Sequence, residues 1–369
     1  MAGARGQGLQ HGGHPGGEAL GGRLGHAVAR DGDHRAILPH PGRARPLRPV
    51  LTIVFIFAHT WGVLTSRERP RLAALLAAGA LGLTALTGCG SGDGGASGKT
   101  DVVASFYPMA YLAGRVGGGD VAVSTLTTPG AEPHDLELTP KQVARVKDAD
   151  LVVYIKGLQP AVDDAVTHQA KGRAFDAAAG VRLLPAPEGG EEDAGHGGND
   201  PHLWLDPDRL ATVAAALGER LARADAPHAA GYRERAAALT ADLRALDTAY
   251  RDGLKSCART TIVTAHAAFG YLADRYGLQQ VPVAGVDPSS EPSPRRLAEL
   301  TRQIRSTGAT TVFTETLVSP KVAETLAREA GVRTAVLDPL EGIKPGSADD
   351  YLSVMRADLA TLRTALGCS

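Results

Sequence analysis

Three imidazoles and one carboxylate occupy equivalent settings along this chain, and their chemistry suits a transition-metal site. His134 lies in the polar loop of residues 130–140, between the apolar, β-branched run 121–127 and an amphipathic segment opening with Thr139 and Pro140. His202 follows an apolar run ending at Leu184, His266 comes two residues after Thr264, and Asp338 stands directly after Leu337. Each run reads as a β-strand, and open parallel sheets bind ligands in the crevice beyond the carboxyl ends of their strands. One loop histidine is usually a helix cap or a solvated side chain. Three at matching topological positions, with a carboxylate at the fourth, point to a shared metal. His168 and His228 sit within or at the start of helical patterns and read as surface residues.

The elements that must position these groups follow from hydrophobic periodicity. From Asp101 onward, short apolar runs alternate with amphipathic segments, which predicts βαβ units and parallel sheets. Strands are expected at residues 102–106, 121–127, 151–155 and 181–184, and helices at 108–116, 140–147 and 161–170. The texture changes at Asp206, with helices over 208–224 and 228–254. In the second, Tyr232, Ala236, Leu239, Leu243, Leu246, Tyr250 and Leu254 step by three and four into one sustained stripe. Such a helix spans about 40 Å, enough to brace two domains. The βα rhythm then returns, with strands at 260–264, 280–283, 310–314 and 333–337 and helices at 267–276, 294–306, 321–330 and 349–366. The expected fold class is α/β: two βα lobes, residues 100–225 and 257–369, each with a mainly parallel sheet. One long rigid helix, residues 226–256, bridges them, and the cleft between receives two of the four groups from each lobe.

Composition narrows the function. A formal net charge of -1 leaves no basic surplus to neutralise phosphates, which excludes a nucleic-acid binder. Aromatics make up only 4%, so the cores must be built from Ala, Leu and Val, as suits helices packed on parallel strands. Arg67, Arg69 and Arg71 precede an apolar run of 15 residues, 72–86. That run is shorter than the roughly 20 residues a spanning helix needs, so residues 63–88 read as a secretory signal. Leu86-Thr87-Gly88-Cys89 resembles a bacterial lipobox, which implies cleavage before Cys89, lipidation there, and a membrane-anchored chain on the extracytoplasmic face. An uncleaved anchor is the other reading and places the chain on the same side. Residues 89–99, rich in Gly and Ser, read as a flexible tether. Residues 1–62 lack periodicity apart from the run 51–58, and are expected to lie upstream of the true translation start. The six histidines there (His11, His14, His26, His34, His40 and His59) are set aside. In an exported chain, Cys257 and Cys368 most simply pair as a disulfide; a thiolate metal ligand competes, but neither has zinc-finger spacing.

Several longer motifs then carry a resemblance. Residues 130–140, Asp200-Pro201-His202-Leu203-Trp204-Leu205-Asp206-Pro207, Thr264-Ala265-His266-Ala267-Ala268-Phe269-Gly270-Tyr271-Leu272, and Phe313-Thr314-Glu315 with Ser319-Pro320-Lys321 resemble the zinc- and manganese-binding lipoproteins of bacterial ABC importers. The resemblance covers the chain from residue 100 onward, in order and spacing. It implies a metal held in the cleft between lobes, a transmembrane permease as recipient, no enzymatic activity, and a monomer. The family's three histidines fall on His134, His202 and His266. Its members differ at the fourth ligand; Asp338 takes the usual carboxylate position, with Glu315 and Glu132 as alternatives and capping of the turn at Pro339 as the other role open to Asp338. Glu188, Glu191, Glu192, Asp193 and His196 resemble a shortened form of the mobile acidic, His-rich loop of zinc members, while a solvated linker reads equally well.

Three imidazoles and one carboxylate suit Zn²⁺, whereas Mn²⁺ prefers more oxygen, and manganese members resemble this chain with Glu in place of His266. Zinc is the expected cargo and a manganese-binding member the nearest alternative. A zinc hydrolase, with Glu315 or Glu132 as base, is the reading from a different class; the chain carries neither H-E-x-x-H nor G-x-S-x-G. A surface adhesin would leave the cleft without a metal.

Overall fold

Period-two alternation along the buried strands divides the interior of the first sheet. In β1 (Thr100–Ala104), Val102 and Ala104 point to one side and Val103 to the other, and in β3 (Leu151–Tyr154), Leu151 and Val153 part from Val152 in the same way. All six are buried, which requires helices on both faces. The computed structural model describes residues 98–187, 198–290 and 292–369, all within the unit Gly88–Ser369. β2 (Val121–Thr125) and β4 (Ala174–Asp176) complete a parallel sheet of order β2-β1-β3-β4. α1 (Tyr107–Gly117) lies on one face, where Met109, Leu112 and Val116 meet Val102. α2 (Pro140–Asp148) and α3 (Pro160–Gln169) cover the other, through Val146, Val162 and Val166 around Val103.

The second sheet repeats the plan. β5 (Thr261–Thr264), β6 (Gln279–Pro282), β7 (Thr311–Thr314) and β8 (Arg333–Val336) run parallel in the order β6-β5-β7-β8. Ile262 and Phe313 face the main core, while Val263 and Val312 pack against α7 (Pro294–Thr307) and α8 (Lys321–Ala330).

Between the sheets, α4 (Pro207–Ala224) leads into α5 (Ala229–Leu254), a helix of 26 residues. All seven apolar positions expected on its stripe are buried. α5 packs on α1 and α4, and also on α6 (Gly270–Tyr276) and α9 (Tyr351–Leu366), so it touches helices of both sheets. One continuous core runs from Val102 through Leu243 to Leu366. Cys257 and Cys368 are joined as a disulfide, tying the segment just beyond α5 to the segment just beyond α9.

One expected strand is displaced. Residues 181–184 are not a strand; the edge partner of β3 is β4, which directly follows α3. Leu184 instead donates its N–H to the Tyr271 hydroxyl at 3.0 Å and accepts from Asp200 N at 2.9 Å, so its partners lie in the other lobe and in the loop leading to His202.

Candidate metal centre

Each histidine of the expected set is held by a device written close to it in the chain. His134 follows β2 in a loop where the Glu132 carboxylate accepts the backbone N–H of His134 with both oxygens at 3.0 Å. Buried Gln159 donates to Pro133 O and to Thr127 Oγ1, both at 3.0 Å, fixing this loop to the start of α3. His202 opens a 3₁₀ turn, Leu203–Leu205, whose three side chains are fully buried and which ends in Asp206, the N-cap of α4. His266 follows β5, and its carbonyl accepts from Thr264 Oγ1 and Gln280 Nε2.

His202 and His266 share one arrangement. A single oxygen of Asp200 accepts both the backbone N–H of His202, at 2.9 Å, and its ring Nδ1–H, at 2.7 Å. A single oxygen of Glu315 does the same for His266, at 3.1 and 2.7 Å. Each carboxylate fixes the ring orientation and leaves Nε2 to face the cleft, the usual support of a metal-binding imidazole.

There the fourth group is Glu341, in the loop between β8 and α9. Its Oε1 lies 3.2 Å from His134 Nε2, 3.3 Å from His202 Nε2 and 3.0 Å from His266 Nε2, and the His134 and His202 Nε2 atoms are 3.3 Å apart. Neighbouring donor atoms of a zinc tetrahedron with bonds of about 2.0–2.1 Å stand about 3.3 Å apart, so these spacings match its edges. All four donor atoms fall within 4.8 Å of one another and all four residues are buried, none more than 5% exposed.

The electrostatics express the same design. Burial lowers the pKa of His134, outweighing Glu341. For His202, burial is outweighed by the charge and hydrogen bond of Asp200, and the pKa rises. His266 goes well above the ordinary value, because Glu315 and Glu341 together overcome its burial. Glu341 is held well below the carboxylate range: burial opposes this, but His266 and the hydrogen bonds from all three imidazoles prevail. Without metal, His202 and His266 thus hold protons more readily than an ordinary imidazole, while the Glu341 carboxyl gives up its own more readily. Glu132, pushed up by burial and then by Glu341, is raised to about 7.

The remaining expected site residues lie as follows. Asp338 is not at the centre, and the expectation for it is corrected. Its Oδ1 accepts Leu340 N at 2.8 Å and its Oδ2 accepts the Thr316 hydroxyl at 2.9 Å, so both oxygens shape the turn at Pro339. Glu315 and Glu132 stand behind His266 and beneath His134. His168 and His228 are exposed. Cys89, Glu188, Glu191, Glu192, Asp193 and His196 lie outside the described residues. The one sequence signal toward Glu341 is turn chemistry, and it does not by itself decide between the two carboxylates. An Asp before Pro tends to spend its carboxylate on the backbone two residues on, which leaves the next carboxylate beyond the turn as the available ligand.

Residues 102–365 match the family described as the periplasmic component A of the zinc-uptake complex, ZnuA. The chain belongs to this family. Among relatives of this zinc-uptake family, the zinc-binding protein AdcA of Streptococcus pyogenes serotype M3 is 37% identical over 289 residues, covering 73% of this chain and 56% of that protein. The chain thus spans about half the length of the first curated relatives it matches. The high-affinity zinc uptake system protein ZnuA of Bacillus subtilis is 34% identical, covering 77% of this chain and 94% of that protein. Among solved structures, the Zn(II)-bound ZnuA-like domain of Streptococcus pneumoniae AdcA superimposes with a TM-score of 0.64 at 34% identity, covering 73% of this chain and 99% of that one.

One glycine guards the His202 support. A Cβ added at Gly270 would lie 2.5 Å from Asp200 Oδ2, and that carboxylate is buried. Gly270 opens α6 with helical dihedrals, where alanine is otherwise favourable. Gly270→Ala is therefore expected to leave thermal stability near that of the parent while lowering zinc affinity about 10- to 100-fold, by turning Asp200 away from His202. Unchanged affinity in a competition titration would show that Asp200 can shift without consequence.

Proposed function

We propose that this protein captures Zn²⁺ outside the cytoplasm and delivers it to the membrane permease of an ABC importer, anchored through lipid on Cys89 and acting as a monomer without enzymatic activity. The observation that carries this reading is the convergence of three imidazole Nε2 atoms and one Glu341 oxygen in a buried cluster with tetrahedral spacing. Zn²⁺ enters here as cargo. The ligands are His134 from the lobe of residues 100–225, His202 from the loop that closes that lobe, and His266 and Glu341 from the lobe of residues 257–369. Residues 226–256 join the two lobes.

Three nitrogen donors favour zinc over manganese, which wants more oxygen. The carboxylates that a hydrolase would use as base serve other ends, since Glu315 orients His266 and Glu132 holds the backbone of His134. Both lobes contribute ligands, as suits capture by closure and release by reopening. Zinc titration of the purified protein, with Mn²⁺ in parallel, tests the reading. One tight zinc site that Mn²⁺ fails to displace is expected; no tight site would sink it.

A further inference from the structure

The turn that delivers Glu341 carries a strained backbone. Leu340, immediately before it, has φ of 58°, and it is the sole non-glycine residue with positive φ among the described residues. After a Pro, the left-handed turn position normally takes Gly, because a Cβ there crowds the following carbonyl. A buried Leu stands there instead, 1% exposed, with its side chain in the main core. Strain of this kind persists only where surrounding contacts over-determine the backbone, and it collects at binding sites.

Those contacts come from four directions. Asp338 Oδ1 accepts Leu340 N at 2.8 Å, and Asp338 Oδ2 accepts Thr316 Oγ1 at 2.9 Å from the segment after β7. Asp338 N donates to Asp358 Oδ1 of α9 at 3.0 Å. Pro339 O accepts Trp204 Nε1–H at 2.7 Å, from the 3₁₀ turn that His202 opens. Tyr351 at the start of α9 closes the circuit by donating to Trp204 O. The turn carrying Glu341 is thus bonded directly to the turn carrying His202, across the cleft.

We propose that Asp338 and Trp204 are positioning residues for zinc capture: they hold Leu340 in its left-handed conformation, and that conformation places the Glu341 carboxylate among the three histidines. The inference rests on the zinc reading above. An unstrained turn would let the backbone relax and carry Glu341 away from the imidazoles, so strain held by the fold serves to preorganise the fourth ligand.

The test uses the purified protein and four substitutions, Asp338→Ala, Asp338→Asn, Trp204→Phe and Glu341→Ala. Zinc affinity is read by competition, and the Co²⁺-loaded proteins are compared by visible absorption, whose d–d bands report coordination. Asp338→Ala is expected to bind one zinc about 10- to 100-fold more weakly, with a Co²⁺ spectrum moved toward that of Glu341→Ala. Asp338→Asn, whose amide oxygen still accepts from Leu340 N, restores most of the affinity and the parent spectrum. Trp204→Phe keeps the buried ring but loses the bond to Pro339 O, and shows a smaller shift in the same direction; it carries the test alone where Asp338→Ala does not fold. Loss in Asp338→Asn as large as in Asp338→Ala would make Asp338 a ligand and overturn the proposal. Parent spectra in both Asp338→Ala and Trp204→Phe, with weakened stability only, would reduce both residues to structural ones and overturn it too. A parent protein that binds no zinc defeats the functional reading instead.

Discussion

His266→Ala and His202→Ala are each expected to abolish tight zinc binding, by more than about 1000-fold, since loss of a ligand should exceed the 10- to 100-fold typical of its supporting partners. Two losses combine in these variants. The metal forfeits an Nε2 donor, and the carboxylate behind the ring, Glu315 or Asp200, forfeits its ring N–H partner while remaining buried. Breaking a buried pair from one side typically costs about 3–5 kcal/mol, so metal-free His266→Ala should also unfold at lower temperature than the parent. Glu341→Ala should match them in lost affinity, because its Oε1 is the single atom that all three imidazoles face. Competition titration beside thermal denaturation of the metal-free proteins separates the two losses. Retention of one tight site in His266→Ala would place the metal elsewhere.

Lowering the pH from 7.5 to 5 is expected to weaken zinc binding by more than about 30-fold, the loss from one imidazole titrating at the ordinary 6.5. Zinc needs the lone pairs that protons occupy on His202 and His266, whose pKa values are raised, the latter well above 6.5. Each proton that must leave costs tenfold per pH unit below its pKa, so raised values on two of the ligands increase the loss beyond that figure. His134, shifted downward, adds nothing until the solution is more acidic. Calorimetry in buffers of differing ionisation enthalpy should accordingly find proton release on zinc binding that grows as the pH is lowered from neutrality. Equal affinity at the two pH values would remove the imidazoles from the coordination shell.

The metal-free protein should respond in the opposite sense. Raised histidine values contribute stability that is present below 6.5 and lost as pH rises through the folded-state values. The depressed value of Glu341 contributes stability present above 4.5 and lost as pH falls through its folded value. Stabilisation by added zinc should therefore grow with pH as the metal replaces the protons.

Much of the fold was legible because its signals are local. The stripe from Tyr232 to Leu254 could only be a long helix with one buried face, and the βα alternation on either side could only close as parallel sheets. The strand expected at residues 181–184 failed for a non-local reason: its apolar side chains pack on the main core, but its backbone partners are Tyr271 and Asp200 rather than a strand edge. Pairing of Cys257 with Cys368 was expected from the secretory signal read at residues 63–88, and the two are joined in one disulfide.

The chain by itself singled out the three histidines, because His134 and His266 come just beyond strands and His202 lies in a motif with Asp200 two residues before it. The tertiary structure decided the fourth group. Asp338 and Glu341 are three residues apart after the same strand, and composition does not separate a carboxylate that builds a turn from one that the turn delivers. The choice fell to the left-handed backbone at Leu340 and to the bond from Trp204, both of which arise only when the two lobes pack together. Backbone direction at a turn is set by contacts distant in sequence, and that direction sends Glu341 to the histidines while Asp338 stays behind to hold the turn.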